Sequence, residues 1–183
     1  LLPERLDVAY GMGQTNEPET PAVDPHPLGR KIGFLLVCLL VGGASSLVTR
    51  PEIPHWYAQL HKPPFTPPPW LFGPVWTLIY ILLALTAAQT WYAPPNNRGP
   101  RHLQRYLAGA ILGANALWSL LFFGLHRPDL ALLDIGAYLL LLLLWVRWLS
   151  QNLAPRFAWL QALHVVWILF ATVLNFSVWW LNR

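Results

Sequence analysis

Three short stripes of aromatic and amide side chains carry the spacing of a binding site. Asn115, Trp118 and Phe122 follow one another at intervals of three and four, which puts them on one face of a helix. Trp167, Ala171 and Asn175 form a second stripe at steps of four, and His164 precedes Trp167 by three. Trp76 and Tyr80 make a third. Flat π faces with a few polar donors suit a planar, carboxylate-bearing ring, although the same aromatics also serve as ordinary helix-packing groups. At membrane depth an unpaired amide costs about 1–3 kcal/mol. Asn115 and Asn175 must therefore each pair across helices or bind a ligand. The imidazole of His164 has two uses, as an axial ligand for haem iron or a chlorin magnesium, or as a hydrogen-bonded packing group. Asp134, inside LALLDIGAYLL, is an intramembrane carboxylate and so a functional candidate. It would otherwise stabilise the start of its helix or pair with a loop arginine.

These residues share a site only if helices bring them together, and the apolar pattern supplies the helices. Apolar runs long enough to cross about 30 Å of hydrocarbon cover 32–49, 70–92, 103–123, 129–149 and 157–181. They do not alternate polar and apolar, so they read as α-helices rather than barrel strands. Charged residues make up only 11% of the chain, and after position 31 there are nine basic and three acidic residues, too few to cover a water-facing surface. A soluble enzyme is excluded. The fold class expected is an all-α membrane protein, a bundle of five transmembrane helices. Cys38 stands alone, which excludes a disulfide framework and a cysteine metal cluster. The basic residues are scattered rather than clustered, which argues against nucleic acid as a partner.

The segments between the runs differ in character. Residues 1–31 are rich in Pro, Glu and Asp and lack an apolar period, so they are expected not to fold alone and not to act as a signal peptide. Between helices one and two, seven prolines lie from Pro51 to Pro69, which predicts a stiff, non-helical lid over the bundle mouth. Trp56 and Trp70 bound it, and a ligand beneath it would touch Trp70, Trp76, Trp118, Trp167 and Ala171, while Leu142 would face lipid. Of the eleven tryptophans, those near helix ends (Trp91, Trp145, Trp148, Trp179 and Trp180) also suit interfacial belts. Gly109 and Gly113 form a small-xxx-small face on helix three, for a dimer or for packing within one bundle. With the N-terminus cytoplasmic, the inside segments hold Arg30, Lys31, Arg98, Arg101, Arg105, Arg147 and Arg156. The outside segments then hold Arg50, Lys62, Arg127 and Arg183, so that orientation is expected.

WYAQLHKPPFTPPPWLFGPVWTLIY (56–80), NALWSLLFFG (115–124) and WILFATVLNFSVWWLN (167–182) resemble the signature segments of the translocator protein family, also called tryptophan-rich sensory proteins or peripheral benzodiazepine receptors. The resemblance covers residue 32 onward. It implies a five-helix bundle with an internal pocket lidded by loop one, commonly a homodimer, that binds porphyrin or haem. The role it implies is transport, sensing or regulation, in what is expected to be a bacterial inner membrane. Three departures stand beside it. Leu163 and His164 occupy the usual Pro-Tyr, Leu120 replaces a usual Pro, and Phe176 and Trp180 do not meet the sterol-recognition pattern.

Chemistry beyond binding has little to rest on. The chain has no phosphate loop, nucleophile elbow, His-x-x-x-His or cysteine pair, so neither a resident metal nor an enzyme is expected. Light-driven porphyrin oxidation, with Trp76 and Trp167 as electron donors, is the one catalytic route the residues allow. An alternative of another class is an accessory structural subunit of a larger pigment-handling membrane complex, docked through the tail.

Overall fold

A computed structural model of the protein describes residues 27–91 and 101–183. The expected tail up to residue 26 and the connector 92–100, with Arg98, lie outside the described residues. Each apolar run becomes a helix. The elements are α1 (Pro27–Glu52), α2 (Phe72–Thr90), α3 (Arg101–Ser119), α4 (Pro128–Asn152), α5 (Pro155–Trp159) and α6 (Ala162–Leu181). Five spans are long and apolar enough to cross a membrane, the fifth made of α5 and α6 together. The chain is an integral, multi-pass membrane protein.

Local chemistry sets the helix ends. Pro128 and Pro155 open α4 and α5, where a missing N–H costs nothing. Two boundaries differ from expectation. α1 starts at Pro27, within the stretch read as tail, and runs through Pro51 into a wide π-turn, Ile53–Tyr57, that takes up Pro54. The non-helical part of loop one is therefore shorter than the run of prolines. The fifth span also breaks at Leu160–Gln161, where Gln161 N–H bonds the carbonyl of Ala158 at 3.0 Å before α6 begins.

α1 packs closely on α2 and α3, α3 on α4, and α4 on α6. The bundle is solid toward the end where α4 finishes and α5 begins: Leu142, Trp145, Leu149, Ile111 and Ile168 are all fully buried. Leu142 thus faces the core, not lipid. Trp145 and Trp148 are likewise core residues rather than belt residues, at 0% and 6% exposure. The lipid-facing surface is made by Leu40, Leu47, Leu133, Leu140 and Val166, all more than half exposed.

Candidate functional site: a cavity under loop one

At the loop-one end the helices part around a cavity of about 610 Å³. α2 supplies Trp76 and Tyr80, α3 supplies Asn115 and Trp118, and α6 supplies Trp167, Ala171 and Asn175. Phe122, on the π-turn Leu120–Gly124 that ends α3, and Trp70, on the 3-10 turn Pro69–Leu71, complete the set of expected residues lining it. The spacing explains the convergence: each stripe holds one helix face, and the three faces meet. Trp118 stacks on Phe122 at 5.1 Å and 19°, and Phe72 meets Trp167 edge-on at 5.7 Å. A volume of this size falls within the range of about 300–1,000 Å³ usual for ligand sites.

The polar groups on these walls are fixed. Trp118 Nε1 donates to Asn175 Oδ1 at 2.9 Å, and Asn175 Nδ2 donates to the carbonyl of Pro128 at 2.8 Å. Tyr80 donates its hydroxyl to Asn115 Oδ1. Both amides are thus paired between helices, and their partners Tyr80 and Trp118 also line the cavity. Trp167 and Ser45 also line the cavity, but Trp167 Nε1 and Ser45 Oγ are covered by protein and have no hydrogen-bond partner. Groups of that kind are costly unless something else meets them.

Two expected site residues lie elsewhere. His164 is fully buried behind the cavity floor. Its Nε2 is 2.6 Å from the Tyr138 hydroxyl and its Nδ1 is 3.2 Å from Gln161 Oε1, so both nitrogens are engaged. Gln161 Nε2 then donates to Thr86 Oγ1 at 2.8 Å and to the Leu82 carbonyl at 3.2 Å. Trp56 is stacked on His126 at 4.4 Å, and that imidazole lies 2.9 Å from Glu52. This tie fastens the end of α1 to the α3–α4 turn, where His126 takes a left-handed backbone with φ of 53°. Asp134 is not joined by the loop arginine: Arg127 pairs with Asp129 at 2.6 Å, and Asp134 Oδ2 is buried without a hydrogen-bond partner.

Loop one is held near its start. Lys62 Nζ donates to the carbonyls of Tyr57 (2.7 Å) and Leu60 (2.8 Å). Asn182, at the end of α6, accepts from His61 N at 2.9 Å and donates to the His61 carbonyl at 2.9 Å. Trp70 stands 71% exposed at the cavity rim.

Sequence reasoning missed one whole wall. Gly42, Gly43, Ser45, Ser46, Thr49 and Arg50 of α1 line the cavity, as does Tyr138 of α4. The signal was present as a run of small and hydroxyl residues, GGASS, in an otherwise Leu- and Val-rich helix. At Gly42 a Cβ would collide with the Tyr80 ring, so glycine lets α1 and α2 close there.

Comparison with known proteins points to one family. The family model for the TspO/MBR family matches residues 34–181. Tryptophan-rich protein TspO of Archaeoglobus fulgidus is 37% identical over 153 residues, covering 82% of this chain and 95% of its own. Protein CrtK of Rhodobacter capsulatus is 36% identical over 152 residues, 80% and 89% respectively. Translocator protein of Bos taurus is 29% identical over 156 residues, 83% and 89%.

Proposed function

The chain belongs to the TspO/MBR family, and on that premise we propose that its cavity binds a tetrapyrrole, in a transport or sensing role rather than a catalytic one. One observation carries the reading: Trp76, Trp118 and Trp167 come from three helices to one enclosed space whose edges hold polar donors. Flat apolar faces take a macrocycle, and a few fixed polar groups orient it. No His, Cys or Met lines the cavity among the described residues, and His164 is engaged behind Tyr138. The hydroxyls of Tyr80 and Tyr138 are taken up by Asn115 and His164, so we read the ring as held by its faces rather than by an axial bond, which favours metal-free porphyrin over haem. The one hydroxyl–imidazole couple nearby, Tyr138 with His164, is tied into a buried chain with Gln161 and supports the packing of α4 on α6.

Two further features belong to the same reading. Gly109 and Gly113 are exposed on α3 with open space where a Cβ would lie, flanked by exposed Tyr106 and Leu117. That face suits close approach of a second copy, and we read the protein as a homodimer. The excess of Arg and Lys on the expected inner side supports a cytoplasmic N-terminus in an inner membrane.

Titrating the purified protein with protoporphyrin IX while following Trp fluorescence tests the binding reading. Saturable quenching is expected, with Trp118→Ala and Trp167→Ala weakened about tenfold or more through lost ring contact. Quenching that never saturates, or that both variants leave unchanged, overturns it.

A further inference from the structure

The cavity has two unlike walls. The aromatic wall comes from α2, α3 and α6, whereas α1 contributes glycines, the hydroxyls of Ser45, Ser46 and Thr49, and one cation, Arg50. Arg50 is the only charged side chain among the described residues that line the cavity. No carboxylate engages it. Glu52, two residues on, is held by His126 at 2.9 Å, and Asp129 is held by Arg127 at 2.6 Å. Asp134 lies on α4 and is not a lining residue. Ser46, about one turn before Arg50, and Thr49 beside it line the same wall. A guanidinium and hydroxyl side chains on one wall, opposite indole faces on the other, make an amphipathic slot.

We infer that Arg50 is the anion anchor of this site, and that the ligand class is a flat ring carrying at least one ionised carboxylate. The inference rests on the tetrapyrrole reading and deepens it. The carboxylate edge lies toward the end of α1, where Arg50 presents a planar, permanently charged donor fork that a carboxylate can meet with two parallel hydrogen bonds. The ring then extends between Trp76, Trp118 and Trp167. Esterification removes the charge but leaves the ring, so the site discriminates free acids from esters. The competing use of Arg50 is to reach lipid phosphate at the membrane surface, which predicts no such discrimination.

The test compares protoporphyrin IX with its dimethyl ester on the full-length protein in nanodiscs of neutral phosphatidylcholine, by Trp quenching. In the parent protein the free acid is expected to bind about tenfold or more tightly than the ester, as for loss of a charge-assisted pair. Arg50→Gln is expected to remove that gap by weakening the acid alone, and Arg50→Lys to keep part of it. Equal affinities in the parent, which needs no variant to fold, or a gap that survives Arg50→Gln, would overturn the anchor and leave the tetrapyrrole reading standing. Saturable binding of neither compound would sink both.

Discussion

The two ends of the bundle are built from similar residues and do opposite things with them. Toward the α4–α5 turn, Trp145, Leu142 and Leu149 fill the space between helices, and Thr86, Gln161, His164 and Tyr138 form a hydrogen-bonded chain. Toward loop one, Trp76, Trp118 and Trp167 surround about 610 Å³ of space instead. Both ends contain indoles without hydrogen-bond partners, Trp145 and Trp148 at one and Trp167 at the other. Of these three residues, only Trp167 lines the cavity. Tryptophan content by itself does not mark a site. What separates the two ends is whether large apolar side chains reach the axis, and at the cavity end the α1 wall between Leu39 and Arg50 is glycine, serine and threonine, which do not.

The contrast can be broken most forcefully by filling the cavity. Ala171→Trp is expected to reduce protoporphyrin binding at least about 100-fold, because the added ring occupies ligand space, while the thermal midpoint changes little. Val166→Trp on the same helix, at a position 63% exposed, is the matched control and should leave titration and melting unchanged. Loss of binding in both variants would break the assignment of space to ligand.

The opposite manipulation strikes the solid end. His164→Phe leaves the Tyr138 hydroxyl and Gln161 without their shared partner and is expected to cost about 1–3 kcal/mol of stability. Thermal unfolding in detergent should record the drop, while ligand affinity of the folded fraction stays within about twofold of the parent. A selective loss of affinity with unchanged melting would move His164 into the site. A smaller effect is expected at the outer surface. Replacing Gly109 and Gly113 together with Leu should shift the monomer–dimer equilibrium toward monomer about tenfold by sedimentation, without altering the melting of the monomer. An unchanged dimer mass would take α3 out of the interface.

How far the sequence could be read follows the same division. Long apolar runs fix the existence of helices because the bilayer leaves the backbone no other way to satisfy its hydrogen bonds, and all five spans were legible. Facing was legible where polar residues broke the run: Asn115 and Asn175 orient their stripes. It was not legible in LLLLLLW of α4, where every residue is apolar and Leu142 gives no sign of its side. His164 shares the periodicity of Trp167, but one turn along the helix is enough to carry it past Tyr138 out of the cavity. Helix-breaking rules are local, so they ended the first span at Thr49 and missed the wide turn that carries the chain on through Pro54. The α1 wall was hidden for another reason: small residues advertise no chemistry until a neighbour leaves room beside them.

The clasp between Asn182 and His61 sets a clock for the site. Its two 2.9 Å bonds hold loop one to a residue just past the fifth span, within reach of water that can replace them as they part. Opening there exchanges protein partners for solvent ones, so on the lid reading loop one lifts while the cavity walls stay in place. Entry and exit rates then rise or fall together. Asn182→Ala is expected to shorten ligand residence several-fold in a stopped-flow chase while the equilibrium constant barely moves. Tightness would belong to the walls, and duration to a single amide at the rim.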